Sequence, residues 1–113
     1  MTTGPLLKGV HIWTEALGCA EILEPMLKSY SKHHSLPIHV YVYDDEVSKL
    51  FVDSLIIPIP INEQSGLVSK SDLKEAYQYG HRGTALLWAS IINNNLDKVL
   101  VHLDSDTVFL AVS

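Results

Sequence analysis

Apolar and polar positions along this chain follow two periods. Val10–Thr14 is a short apolar-rich run after Gly9 and predicts a strand running into Glu15-Ala16-Leu17-Gly18. From Ala20 to His34, Ile22, Leu23, Met26, Leu27 and Tyr30 recur at steps of three and four, the spacing of one helical face. Proline is tolerated only in a first turn, so Pro25 makes the regular helix begin near Glu24 or kink there. His33, His34 and then Pro37 supply its stop. Ile38–Tyr43, rich in β-branched and aromatic residues, predicts a second strand. Glu46–Phe51 predicts a short helix with Val47, Leu50 and Phe51 on one side. Leu55–Ile61 is apolar but carries Pro58 and Pro60, which confine it to an edge strand or an extended connection. After a loop at Asn62–Gly66, Ser69 or Ser71 can cap a helix with Asp72 in its first turn. The helical face Leu73, Ala76, Tyr77, Thr84, Leu87, Trp88 and Ile91 runs to Asn93-Asn94-Asn95, with a break at Gly80–Gly83. Val99-Leu100-Val101 then predicts a buried strand ending in Asp104.

Strands alternate with helices, and every connection is long enough for a crossover. The expected fold is therefore α/β: a mostly parallel sheet of about four strands flanked by helices, in a single domain. In such a sheet the loops after the strands gather on one rim. Thr14 and Glu15, Asp44 and Asp45, and Asp104 and Asp106 all fall just past expected strand ends.

Composition narrows the function classes. Of 113 residues, 47% are hydrophobic and 19% charged, enough for a real core. The net charge of -5, with no basic cluster, argues against nucleic-acid binding. Cys19 is the single cysteine, so no internal disulfide can form, and a reducing, cytoplasmic location is expected. The first residues lack the pattern of a signal peptide, and no run approaches the ~20 apolar residues that span a bilayer.

The chemistry concentrates at Lys98–Leu110, KVLVHLDSDTVFL. On an extended backbone, Asp104 and Asp106 project to the same side and can reach one hard cation. The natural ligand of a carboxylate-held Mg²⁺ or Mn²⁺ is a phosphate-bearing substrate. The plain alternative is an acidic turn. Asp44 or Asp45 either accepts from a ribose hydroxyl or base N–H, or caps the helix that follows. A GxGxxG fingerprint and a P-loop are both absent. Gly80-His81-Arg82-Gly83 lets backbone and cation approach a phosphate, or marks a helix break. His11, His39 and His102 lie within strands and read as half-buried rather than as a metal set. Cys19 near a helix start reads as a small packing residue.

HLDSDTVF after a strand, with GHRGTALLWASII and VYVYDD before it, resembles the N-terminal half of a GT-A-fold nucleotide-sugar glycosyltransferase. The resemblance covers about Val10 to Leu110. It implies a Rossmann-like half in which Asp104 and Asp106 hold the donor diphosphate through Mn²⁺ or Mg²⁺. Asp44 matches the acid that contacts base or ribose. Thr14 and Glu15 border the base, and His81 and Arg82 lie where donor-contacting groups are placed. The implied partners are a nucleotide-diphosphate sugar and an acceptor. Only seven residues follow Asp106, so the acceptor-binding half is missing and little transfer is expected from these residues alone. The apolar VFLAVS end calls for cover, for example by a second chain. Two alternatives stand beside this reading. One is a non-catalytic α/β interaction domain. The other is a haloacid dehalogenase-like phosphatase fragment, with Asp104 as nucleophile and Asp106 as acid/base, whose other groups would lie downstream of the motif.

Overall fold

The structure, a computed structural model, describes residues 7–110. Its elements are β1 (Val10–Glu15), a 3-10 helix (Ala20–Leu23), α1 (Glu24–His33), β2 (Ile38–Tyr43), a second 3-10 helix (Asp44–Lys49), β3 (Ile56–Ile61), α2 (Lys70–Tyr77), α3 (Arg82–Asn93) and β4 (Val99–His102). The fold is α/β: four parallel strands in the order β3-β2-β1-β4, flanked by helices. The end of the apolar VFLAVS segment, residues 111–113, lies outside the described residues.

Alternation along the strands divides the core in two. Ile12, Ala16, Ile38, Val40, Val42 and Ile56 pack against Leu23, Met26, Leu27 and Tyr30 on the α1 side. Trp13, Tyr41, Tyr43 and Ile61 pack against Leu73, Leu87 and Ile91 on the α2–α3 side. Strands buried on both faces need this two-sided cover. Pro25 sits in the first turn of α1, so the regular helix begins at Glu24 as the proline requires, and Ala20–Leu23 before it form a 3-10 helix. The Glu46–Phe51 helix is likewise a 3-10 helix, over Asp44–Lys49.

β3 is an edge strand, paired only with β2. Residues two apart in a parallel strand present their backbone groups to the same side, so Pro58 and Pro60 put both missing donors on one edge. That edge faces away from β2 and is closed to a further strand. The helical run after Ser69 is two helices. Gly80 (φ +78°) takes the left-handed turn between them, and Gly83 packs so tightly on the Tyr77 ring that a Cβ there would collide with it. Both glycines thus serve the break between α2 and α3.

The first crossover, β1 to β2, lies on the α1 face, whereas β3 returns to β4 through α2 and α3 on the opposite face. Strand order therefore reverses between β1 and β4. The crevice beyond the carboxyl ends of those two strands is where open α/β sheets bind ligands.

Candidate functional site

Glu15 ends β1 and His102 ends β4. Trp13 pairs with His102 in the β1–β4 register, which carries Glu15 just past the end of its neighbour. Glu15 Oε2 lies 2.8 Å from His102 Nε2. The Nε1–H of Trp88, from α3, donates to Glu15 Oε1. Both oxygens of a carboxylate that is only 12% exposed are thus engaged, and β1, β4 and α3 are tied at one point. His102 lies beside Trp88 and Trp13, with ring centroids 4.4 and 5.2 Å away. Its Nδ1 looks outward, 3.8 Å from Asp104 Oδ1.

These groups border an open depression of about 560 Å³. Glu15, Thr84, Trp88, His102, Asp104, Ser105 and Asp106 line it, together with Ile22. β4 stops at His102 rather than Asp104. Thr107 N–H donates to Asp104 O (3.1 Å), so residues 104–107 form a turn and not the extended backbone expected from the spacing. Asp-Ser-Asp is turn-forming, since short polar side chains compete with the strand ladder. Both aspartates still border the same depression and are exposed.

The other expected site residues are spread along the rim. Thr14 is fully buried on the α1 side of β1, with no hydrogen-bond partner for its hydroxyl, and does not line the depression. Asp44 begins the 3-10 helix after β2; its carboxylate and that of Asp45 are held by Lys70 at 2.9 and 3.0 Å. Lys70 holds both carboxyls below the ordinary aspartate range. His81 is the exposed residue before α3. Arg82 stacks over Tyr79 at 5.5 Å and lines a separate groove with Val68, Asp72, Glu75 and Leu86. Glu15, Asp104 and Asp106 are therefore together, whereas Thr14, Asp44, His81 and Arg82 are not among the groups lining their depression.

His11 and His39 do meet, stacked at 4.2 Å, and His11 Nε2 lies 2.8 Å from Tyr41 Oη. Burial first, then His39 and Lys98, lower the His11 pKa to about 4, so this imidazole is neutral at neutral pH. Burial, with Glu46 and Glu21 adding to it, pushes the Cys19 thiol up, which disfavours the reactive thiolate.

The donor set suits a hard cation only in part. Among the described residues, no three His, Cys, Asp or Glu side chains are gathered to hold a metal ion by themselves. Two exposed carboxylates fit an ion of the Mg²⁺ or Mn²⁺ kind, which takes one or two carboxylates and completes its shell with substrate phosphates and water. No helix among the described residues is long and apolar enough to cross a membrane. No family model and no curated protein matches this chain.

Sequence reasoning passed over His102 and Trp88 as site residues. One signal was available: His102 alternates with Leu100 and so shares the α3 face with Glu15 and Trp13.

Proposed function

We propose that this chain is the donor-binding portion of a metal-dependent glycosyltransferase, one that takes a nucleotide-diphosphate sugar and passes the sugar to an acceptor held by other residues. The observation that supports it is the placing of Asp104 and Asp106 on one depression at the reversal point between β1 and β4. The two aspartates would hold a Mn²⁺ or Mg²⁺ ion, which supplies Lewis-acid stabilisation of the charge developing on the leaving diphosphate. Trp88 and Ile22 offer apolar walls, and the Thr84 hydroxyl lies on the same surface.

Asp44 extends the reading to the nucleoside half. Its strand, β2, is two strand spacings from β4, ~10 Å along the rim. A nucleoside joined to a diphosphate at the aspartate pair can span that length. Glu15 contributes differently: both its oxygens are already engaged, so it fixes the wall formed by Trp88 and His102 rather than contacting the base.

Calorimetry with a panel of nucleoside diphosphates, each with and without Mn²⁺, tests the proposal. Metal-dependent binding that is lost in Asp104→Asn or Asp106→Asn supports it. Indifference to every nucleotide would leave the α/β interaction domain as the better description.

A further inference from the structure

Helix α3, Arg82–Asn93, carries one charged residue, and that residue is its first. Gly83, Leu87 and Ile91 are buried on its sheet side. On the opposite face Ala85, Leu86, Ala89 and Ile92 are exposed at helical spacing, and Leu96 just beyond the helix is 68% exposed. The outer face of a surface helix is normally charged or polar, and a contiguous apolar stripe marks an interaction surface. At its N-terminal end the stripe opens into a groove of about 400 Å³, where Val68, Ala76, Tyr79 and Leu86 supply apolar wall.

The stripe complements itself when a second copy lies on it antiparallel. With Ala89 on the two-fold axis, the partner's Ile92 comes against the small Ala85, and Leu86 lies beside the partner's Asn93. Alanines at these positions let the helix axes approach to about 8 Å. Arg82 then reaches the C-terminal end of the partner's α3, where the last carbonyls carry partial negative charge. Asp97 adds a full one: its carboxylate is 44% exposed, and Lys98 sits only loosely against it at 3.7 Å. The partner's Leu96 falls at the level of Arg82, at the mouth of the groove. Two-fold symmetry makes each of these contacts twice.

We infer that the outer face of α3 seats a second copy of this chain in an antiparallel, two-fold dimer. A helix of 12 residues is about 18 Å long, so the pair buries less than the ~1,600 Å² of a standard interface and the dimer is reversible. Thr84 and Trp88, which line the depression at the strand ends, lie off this face, so the inference stands apart from the donor-binding reading.

Sedimentation equilibrium of the full chain, from about 10 µM to about 1 mM, tests it. The average mass is expected to rise from one chain toward two across that range. Ala89→Glu, at an exposed position, sets two carboxylates against each other on the axis and is expected to weaken the dimer about tenfold or more. Arg82→Asp and Asp97→Arg are each expected to weaken it severalfold, and the double variant to recover most of the loss. Circular dichroism checks that each variant keeps its helices. On mild oxidation Ala89→Cys is expected to link two chains, whereas the exposed Lys32→Cys on α1 does not. A chain that stays monomeric to the highest concentration would overturn the inference. So would a dimer indifferent to Ala89→Glu, which would place the contact on another surface.

Discussion

The indole Nε1–H of Trp88, midway along α3, donates to Oε1 of Glu15 at the end of β1, while His102 of β4 occupies the other oxygen. One mostly buried carboxylate thus joins the two strands of the reversal point to α3. Trp88→Phe keeps the aromatic wall but leaves one carboxylate oxygen without its donor. Losing a partner to a buried charged group costs about 1–3 kcal/mol, and urea denaturation is expected to report a loss in that range. A change within a few tenths of a kcal/mol would mean that the bond does not hold α3 to the sheet.

Burial of His11, with His39 stacked against it, makes stability depend on pH. His11 has a folded pKa of about 4 against 6.5 for the free side chain. Between those values the unfolded chain binds the proton and the folded chain does not, so stability falls as pH falls through this window. The full effect is up to ~3 kcal/mol, accumulated by about pH 4. Thermal melts from pH 7 to pH 4 are expected to show a steeper loss for the natural chain than for His11→Gln. Equal slopes would contradict this source. At the other extreme, burial raises the hydroxyl of the adjacent Tyr41 to about 12, a loss of stability felt only as pH rises above 10.

Gly83 lies in α3, where alanine is ordinarily the better helix former by up to ~1 kcal/mol. A Cβ at this position meets the ring of Tyr77, close to its root, where the side chain has little room to yield. Overpacking of this kind costs roughly 1–3 kcal/mol, so the collision outweighs the propensity gain. Gly83→Ala is expected to lower the melting temperature and to disturb the 3.0 Å contact between Tyr77 Oη and Thr84 Oγ1. A stabilised variant would show that α2 and α3 are free to move apart.

Lys70 bridges Asp44 and Asp45 and lowers both carboxyl pKa values. In Lys70→Met both are expected to rise toward the ordinary aspartate range, as followed by carboxyl-carbon resonances. If Asp44 also contacts a nucleoside, Asp44→Asn is expected to weaken binding of a nucleoside diphosphate severalfold while leaving inorganic pyrophosphate unaffected. Equal affinities for the nucleotide in both forms would restrict Asp44 to anchoring α2.

Much of this architecture was legible in the sequence because local chemistry dictated it. Pro58 and Pro60 two residues apart marked the edge strand. Gly80 and Gly83 marked the break between α2 and α3. The end of β4 was misread because Val99–Leu103 continues the apolar pattern to the aspartates, while the turn closed by Thr107 and Asp104 begins first. The Glu15 network was hidden for a different reason. Its partners lie 73 and 87 residues away, and only the sheet order brings them together. Strand order is a tertiary property that alternation does not encode. Asp44, by contrast, was correctly expected on the rim, but its pairing with Lys70 depends on how α2 docks against β2.

The proposed site would seat a cation-bound diphosphate between the ends of β1 and β4. Amide and indole NMR signals of the chain, followed while a nucleoside diphosphate and Mg²⁺ are added, test it most directly. Saturable shifts are expected at the Trp88 indole N–H and at the amides of Glu15, Thr84 and residues 102–106, all dependent on the metal. Shifts confined to the Val68–Asp72–Arg82 groove, or none at any concentration, would contradict it.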